Sequence, residues 1–176
     1  VEDDGDGVII SGRHLNAVYR IRKSDGGVDW KIGGTPTAQS LTVLGLAAPI
    51  RSQHDARRLA NGHVSIYDNG SEDARPPAVL ELAIDATART ATVVRTVTDA
   101  RVAYSPCCGS ARALAGGGYL TAWGGTGLVT QVDGAGAVQL SADFGTVFSY
   151  RAVPAAPEEI SREALVGGMD AMHPRS

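Results

Sequence analysis

The fold is indicated by the stretch LANGHVSIYDNG at residues 59–70, where a glycine turn leads into a strand of alternating apolar residues. Two other segments have the same shape, DGDGVIISGR at 4–13 and LAGGGYLTAWGG at 114–125. Their turn glycines recur at spacings of 55 and 56 residues, at Gly7, Gly62 and Gly118. A period of this length indicates one structural unit repeated along the chain.

Each of these segments is followed by a second hairpin pattern, at residues 16–34, 78–97 and 127–144. Period-2 alternation indicates half-buried strands, and Asp-Gly and similar pairs indicate the turns between them. Four strands per repeat are typical of a propeller blade. A β-sandwich is the alternative, although it does not require a regular four-stranded repeat. The sequence therefore predicts an all-β fold, a partial β-propeller of about three four-stranded blades.

The predicted propeller occupies residues 1–153, and the blades fall at about 1–48, 49–102 and 103–148. Residues 149–153 are expected to start a further strand, and the first blade is expected to lack its innermost strand. An irregular or disordered tail is predicted at 154–176, with a short helix at 158–165. Trp30 and Trp123 are expected to pack between blades.

Composition excludes several classes of function. A net charge of −3 gives no basic surface for nucleic acid, and no apolar run is long enough to span a membrane. No signal-peptide pattern opens the sequence. The two cysteines, Cys107 and Cys108, are adjacent and too few for a structural zinc site. They are expected to be free and at least half-buried, with a vicinal disulfide as the alternative. No metal or cofactor is predicted.

The register of the repeat selects the candidate site. QHDAR at 53–57 aligns with CGSAR at 108–112 and with SYRA at 149–152. This alignment makes three positions equivalent, namely His54, Gly109 and Tyr150, with Ser110 one step along. Because the first strand of a propeller blade lines the central channel, these residues are predicted to surround one end of it.

Four blocks occur in a characteristic order: SGRH at 11–14, GGVDWKIGG at 26–34, QHDAR with the following DNG, and SYRA. Over about residues 5–152 the chain resembles the shorter, soluble branch of the bacterial arylsulfotransferase family. The resemblance implies a six-bladed ring, a periplasmic or secreted location and no nucleotide donor. It also implies transfer of a sulfuryl group from an aryl sulfate to a phenol through a sulfated histidine, with upstream blades of the same parent chain as partners.

The resemblance assigns the family's Q-H histidine to His54 and its S-x-R arginine to Arg13. The family's H-x-N block would fall before Val1. Gly12 and the Cys107–Cys108 pair depart from the usual form of their blocks.

The residue types suit this chemistry. The neutral imidazole of His54 has a lone pair near neutral pH, and Arg13 is a planar, permanently charged clamp for sulfate oxygens. Tyr150 is predicted to stack on an aryl ring and Ser110 to donate a hydrogen bond. Asp55 or a backbone carbonyl is considered for orienting the ring, although strand alternation argues against Asp55. No general acid or base is identified.

Other polar residues are predicted to be structural. His14 should face away from Arg13, and His63 and His173 are expected to be solvated. Residues 68–70 are interpreted as a turn, with a calcium-binding or supporting carboxylate as the alternative. Asp3, Asp4 and Asp6 are interpreted as a solvated turn. The alternative for the whole chain is a non-catalytic propeller that binds a small ligand, glycan or protein.

Overall fold

The computed structural model describes residues 1–156 and 158–173, which form three β-sheets and one α-helix. The all-β prediction is therefore confirmed. The first sheet contains β1 (Glu2–Asp4), β2 (Gly7–Gly12), β3 (Ala17–Arg22) and β4 (Val28–Gly33). The second contains β5 (Thr42–Leu44), β6 (His54–Arg58), β7 (Val64–Asp68), β8 (Ala78–Asp85) and β9 (Thr90–Val97). The third contains β10 (Ser110–Ala113), β11 (Tyr119–Ala122), β12 (Leu128–Val132) and β13 (Val138–Asp143).

Neighbouring strands are antiparallel within each sheet, except that β5 joins the second sheet parallel to β9. The sheets meet through their first two strands in chain order at this edge, since β1 and β2 contact β6, and β6 and β7 contact β10. The expectation that the first unit lacks its innermost strand is wrong, because β1 pairs with β2. The described residues do not close into a ring.

The repeat is visible in the turns that the glycine pattern predicted. Leu59 N donates to the His63 carbonyl at 2.9 Å, and Leu114 N donates to the Gly118 carbonyl at 2.8 Å. Gly62 in the first turn has a φ of +85°, a backbone conformation that glycine adopts without steric cost. The second and third sheets therefore start from hairpins of the same construction.

Two apolar cores lie between the three sheets, one between each neighbouring pair. The first core includes Ile9, Val18, Trp30 and Ile32 from the first sheet and Val64, Ile66, Leu80 and Leu82 from the second. The second core includes Tyr67, Val79 and Val97 from the second sheet and Ala111, Tyr119, Trp123, Leu128 and Val132 from the third. Both tryptophans pack between sheets, as predicted. Every residue of β7 is buried, rather than every second one, because the second sheet is covered on both faces.

Two predictions about the C-terminal part differ from the structure. Residues 149–153 form an isolated bridge between Ser149 and Gly124 rather than a further strand. The tail contains α1 (Arg162–Met172), which begins later than the predicted helix because Ser161 caps it, its Oγ accepting from Ala164 N at 3.1 Å. Residues 157 and 174–176 of the predicted tail lie outside the described residues. No helix in the described ranges is both long and apolar enough to traverse a bilayer.

The acidic turn before β2 is solvated as predicted at Asp3 and Asp6, whose side chains are 75% and 84% exposed, but Asp4 joins two sheets. The Asp4 carboxylate accepts from Arg58 Nε of β6 at 2.8 Å and from Arg20 Nε of β3 at 2.7 Å. These hydrogen bonds, the one from Arg58 first, lower the pKa of Asp4 to about 2, although burial opposes them. The carboxylate therefore stabilises the packing of the first sheet on the second.

Asp4→Asn in the full-length protein should lower the free energy of unfolding by about 2 kcal/mol near neutral pH. The folded-state pKa is below the unfolded value of 3.8, so this stabilisation is complete above about pH 4 and is lost as the pH falls to about 2. Urea denaturation of both proteins across this range measures it. Asp3→Asn is the control, since the exposed Asp3 carboxylate accepts from Gly5 N and Lys23 Nζ and, among the described residues, from no residue of the second sheet. A difference in the free energy of unfolding between wild type and Asp4→Asn that stays constant from neutral pH to pH 2 would contradict the prediction.

Candidate functional site

His54 opens β6, and its ring is held by a residue from the end of the neighbouring strand. Its Nδ1 lies 2.7 Å from Oδ1 of Asn69, which directly follows β7 and is fully buried. Because β6 and β7 are antiparallel, the start of one lies beside the end of the other. The sequence interpretation of residues 68–70 as a simple turn missed this contact.

The surroundings of Asn69 determine which nitrogen of His54 carries the proton. Asn69 Nδ2 donates to the Cys108 carbonyl at 2.9 Å and to Ser105 Oγ at 3.3 Å. A carbonyl oxygen only accepts, so the amide nitrogen of Asn69 faces the carbonyl and its oxygen faces His54. The Nδ1 of His54 therefore donates, which places the lone pair of the neutral ring on Nε2.

The pKa of His54 is lowered from its ordinary value of 6.5. Burial is the main cause, because it penalises the charged imidazolium, and the positive charge of Arg13 acts in the same direction. The hydrogen bond to Asn69 opposes the shift without reversing it. The imidazole is therefore neutral at physiological pH.

Arg13 lies in the 3₁₀ turn Arg13–Leu15, immediately after β2. Its Nη2 donates to the Pro106 carbonyl at 3.1 Å, and its Nη1 donates to His14 Nε2 at 3.1 Å. The prediction that His14 faces away is wrong, because the chain leaves the extended conformation after Gly12, in the 3₁₀ turn Arg13–Leu15, and strand alternation no longer applies. Neither partner is a carboxylate, so the guanidinium charge remains available to an anion.

Gln53 explains why His54 and Arg13, which follow from different sheets, lie close together. It is fully buried, and its Nε2 donates to the carbonyls of Ala17 at 2.9 Å and Gly12 at 3.2 Å. In return, Ser11 Oγ donates to the Gln53 carbonyl at 3.0 Å. These bonds fasten the start of β6 to the end of β2, one residue before His54 and one residue before Arg13.

His54 and Arg13 line the same cavity of about 330 Å³. This volume lies in the range of small-ligand sites. The charged side chains of its wall are Arg13, Arg57, Arg151 and Asp55. Arg57 is paired with Glu2 and Asp55, at 2.6 and 3.0 Å, which leaves Arg13 and Arg151 to give the wall its positive character. The cavity is suited to an anion.

Asp55 does not orient the imidazole. It has a φ of +49° within a register irregularity of β6, and its carboxylate accepts from Ala111 N at 3.0 Å and Arg112 Nη1 at 2.6 Å. Burial raises the pKa of Asp55, while Arg57 opposes the shift. Asp55 therefore joins the second sheet to the third, and Asn69 is the residue that positions the ring.

Ser110 and Tyr150 are not among the residues that line this cavity. Ser110 is fully buried, and its Oγ accepts from Ala152 N at 3.1 Å. Tyr150 is 56% exposed and lies 5.6 Å from the guanidinium of Arg151, measured to the ring centre. The structure thus brings Arg151 to the cavity from the SYRA block, where the sequence interpretation had selected the tyrosine.

Two other polar residues have structural partners. The buried Asp68 accepts from Arg51 N at 2.9 Å and from Arg75 Nη2 at 2.6 Å, so its carboxylate holds two loop segments. His63 is half-buried, with Nδ1 at 2.7 Å from Glu81 Oε1. The prediction that His63 is solvated is wrong, because Glu81 lies on the adjacent strand β8. His173 is exposed, as predicted.

Cys107 and Cys108 are free and half-buried, as expected. They belong to the loop before β10 that also supplies the carbonyls of Pro106 and Cys108. This loop therefore contacts both Arg13 and, through Asn69, His54.

Comparison with known proteins identifies the family. A protein of unknown function from Bacteroides caccae is similar over 73% of this chain and 39% of its own, at 17% identity and a TM-score of 0.41. This chain thus spans about two fifths of that protein's length. No curated protein matches the sequence. The family model for arylsulfotransferase (ASST) matches residues 1–145, which is most of the chain, and this chain therefore belongs to the arylsulfotransferase family.

Proposed function

We propose that this chain carries the sulfuryl-accepting part of an arylsulfotransferase, with His54 as the nucleophile and Arg13 as the anion clamp. The observation that supports the proposal most directly is the shared cavity. One wall holds a neutral imidazole with its lone pair on Nε2, and another holds a guanidinium that has no carboxylate partner among the described residues.

In the first step, His54 Nε2 attacks the sulfur of an aryl sulfate. The N–S bond forms as the bond from sulfur to the aryl oxygen breaks, and the leaving group departs as a phenolate. Arg13 stabilises the sulfonate oxygens throughout, because a planar guanidinium forms charge-assisted hydrogen bonds to such groups. Asn69 accepts from Nδ1–H and so stabilises the positive charge that develops on the ring.

In the second step, the oxygen of an incoming phenol attacks the sulfur of the sulfated histidine. The N–S bond breaks, its electron pair returns to Nε2, and the phenol proton passes to a base. This route divides one displacement into two, each with a good leaving group. No cofactor is required in this route, because the aryl sulfate donates the sulfuryl group and the phenol accepts it.

Arg151 is proposed as a second cation for the bound anion. It lines the cavity within electrostatic reach of Asp55 and forms no ion pair among the described residues, whereas Arg57 is paired directly with Glu2 and Asp55. Two cations from different parts of the chain would hold a sulfate ester more firmly than one. Tyr150 is proposed to contact the aryl ring from its exposed position beside Arg151. For Ser110 the predicted hydrogen bond to substrate competes with its bond to Ala152 N.

A propeller arrangement is proposed for the three sheets. It is supported by the repeated meander, by the contacts of β1 and β2 with β6 and of β6 and β7 with β10, and by a second sheet covered on both faces. The family leads us to propose a six-bladed ring completed by other parts of the parent protein, and a periplasmic or secreted location.

The test is transfer by the full-length protein from 4-nitrophenyl sulfate to a second phenol. We expect release of nitrophenolate together with formation of the new aryl sulfate, measured by absorbance and by mass spectrometry. Absence of release by folded protein, with binding of the aryl sulfate retained, would replace this function by that of a binding module.

Arg13→Gln should lower kcat/KM by about 10²-fold, because a donor to the transferring group is lost. It should also move the acid limb of the pH profile of kcat/KM to higher pH. The charge of Arg13 lowers the pKa of His54, and only neutral imidazole reacts, so removing that charge makes the rate fall at a higher pH. Arg101→Gln is the matched control, since Arg101 pairs with Asp99 on the surface. An acid limb that does not move would show that Arg13 is remote from His54.

A further inference from the structure

We propose that Cys107 and Cys108 form a reversible dithiol–disulfide site that controls the positioning of His54. The two Sγ atoms are 3.1 Å apart, and the Cys108 thiol donates to Cys107 Sγ. A disulfide needs a separation of about 2.0 Å, so the sulfurs have to approach by only about 1 Å. Both residues are half-buried, which leaves the pair partly accessible to a small reagent.

The loop that carries the pair is connected to both proposed site residues. The Pro106 carbonyl accepts from Arg13, and the Cys108 carbonyl accepts from Asn69, which holds the His54 ring. Ser105 Oγ donates to the Cys107 carbonyl at 3.3 Å, so the adjacent peptide is held as well. A change in the conformation of this loop therefore affects the His54 imidazole through one side chain, that of Asn69.

Closing the disulfide changes the backbone at this point. A bond between adjacent cysteines creates an eight-membered ring that contains the intervening peptide group and both Cα atoms. Cys108 already has a φ of +63°, which non-glycine residues rarely adopt. The ring constrains the peptide further and reorients the carbonyl attached to the Cys108 Cα. The bond from Asn69 Nδ2 is then weakened, and Asn69 no longer fixes the tautomer of His54.

The oxidant we propose is a small-molecule disulfide. The thiolate of Cys107 attacks one of its sulfurs, and one thiol is released. The thiolate of Cys108 then attacks the mixed disulfide at the Cys107 sulfur and releases the second thiol. Two protein thiols are oxidised, one external disulfide is reduced to two thiols, and all atoms are conserved. The Cys108 thiol donates to Cys107 Sγ, and burial together with the neighbouring Cys107 thiol raises the pKa of Cys108 to about 11, so Cys108 is assigned the second attack.

The first experiment treats the full-length protein with oxidised glutathione and measures its mass and its free thiols. We expect the peptide that contains both cysteines to lose two hydrogen atoms and to retain no glutathione, and dithiothreitol to reverse the change. Cys108→Ser is the matched control, expected to gain one glutathione because no neighbouring thiol can resolve the mixed disulfide, whereas Cys107→Ser lacks the attacking thiol and should gain glutathione more slowly. Wild type that keeps two free thiols, or that retains glutathione as the single-cysteine variants do, would overturn the proposal.

The second experiment measures the link to His54 without an activity assay, so it is independent of the proposed function. The ring proton signals of His54 are followed by NMR against pH in the reduced and oxidised protein, with the exposed His173 as internal reference. We expect oxidation to shift the His54 signals and their midpoint and to leave those of His173 unchanged. Identical His54 titrations in the two states would refute control by the pair, even where the disulfide itself forms.

Discussion

His54→Ala should abolish sulfuryl transfer, with kcat/KM for nitrophenyl sulfate lowered by about 10⁴-fold or more, as is usual when the nucleophile of a covalent mechanism is removed. The imidazole is half-buried, and its lowered pKa keeps it neutral, so it offers a basic lone pair to the cavity. Asp55 is bound by Arg57 and Arg112, and the arginines are protonated.

His54→Asn separates the loss of chemistry from the loss of a contact. Its side-chain amide can still donate to Asn69 Oδ1 as Nδ1 does, but an amide nitrogen has no nucleophilic lone pair. We expect this variant to fold like wild type and to be as inactive as His54→Ala. Mass spectrometry of wild type trapped without acceptor should show one sulfo group on the peptide that contains His54.

The matched control is His173→Ala, in which an exposed histidine outside the cavity is removed. Its activity should equal that of wild type. Transfer that persists in folded His54→Asn, or a sulfo group found on another peptide, would assign the nucleophile to a different residue.

Gly109→Ala is expected to have the largest effect on stability, lowering the free energy of unfolding by about 2–5 kcal/mol. A Cβ at this position would lie 2.3 Å from Cε1 of the Tyr67 ring, and the φ of +105° is unfavourable for any residue with a Cβ. Tyr67 is fully buried in the second core and packs against Trp123 at 6.1 Å between ring centres. Neither the ring nor the backbone of Gly109 can move without disturbing that core.

Gly136→Ala is the matched control for the cost of placing alanine at a positive φ. Gly136 has a φ of +87° in an exposed turn, and a Cβ there would meet nothing within 4 Å. The difference between the two variants therefore measures the clash with Tyr67. Because Gly109 adjoins the Cys107–Cys108 loop, activity should fall together with stability in Gly109→Ala.

The clash can be relieved in a double variant. Tyr67→Leu in the Gly109→Ala background should recover part of the lost stability, and the two changes should be non-additive by more than 0.5 kcal/mol, a coupling expected only for contacting residues. Urea denaturation of the four proteins measures the cycle. Additive losses, or a Gly109→Ala variant no less stable than Gly136→Ala, would contradict the packing described for Tyr67.

The repeat, the turns and the block order could be predicted from the sequence because they depend on local chemistry. Glycine spacing and period-2 alternation indicated the hairpins, and the turns at Leu59 and Leu114 have the hydrogen bonds that this pattern implies. The same alternation failed for β7, where VSIYD is buried on both faces. Burial on the second face depends on which sheet packs there, and a strand's own sequence does not contain that information.

The features of the candidate site also divide into those predicted from the sequence and those that only the tertiary structure showed. The sequence by itself determined the family blocks and, with them, the candidate nucleophile and its cationic partner. Only the tertiary structure showed Gln53 fastening two strand ends together, Asn69 fixing the tautomer of His54, and Arg151 reaching the cavity in place of Tyr150. It also turned His14 toward Arg13 and paired Asp4 with two arginines. Residue type and local periodicity specify which groups a chain carries. Their directions depend on bulges, left-handed residues and contacts across sheets, and these form only when distant segments pack.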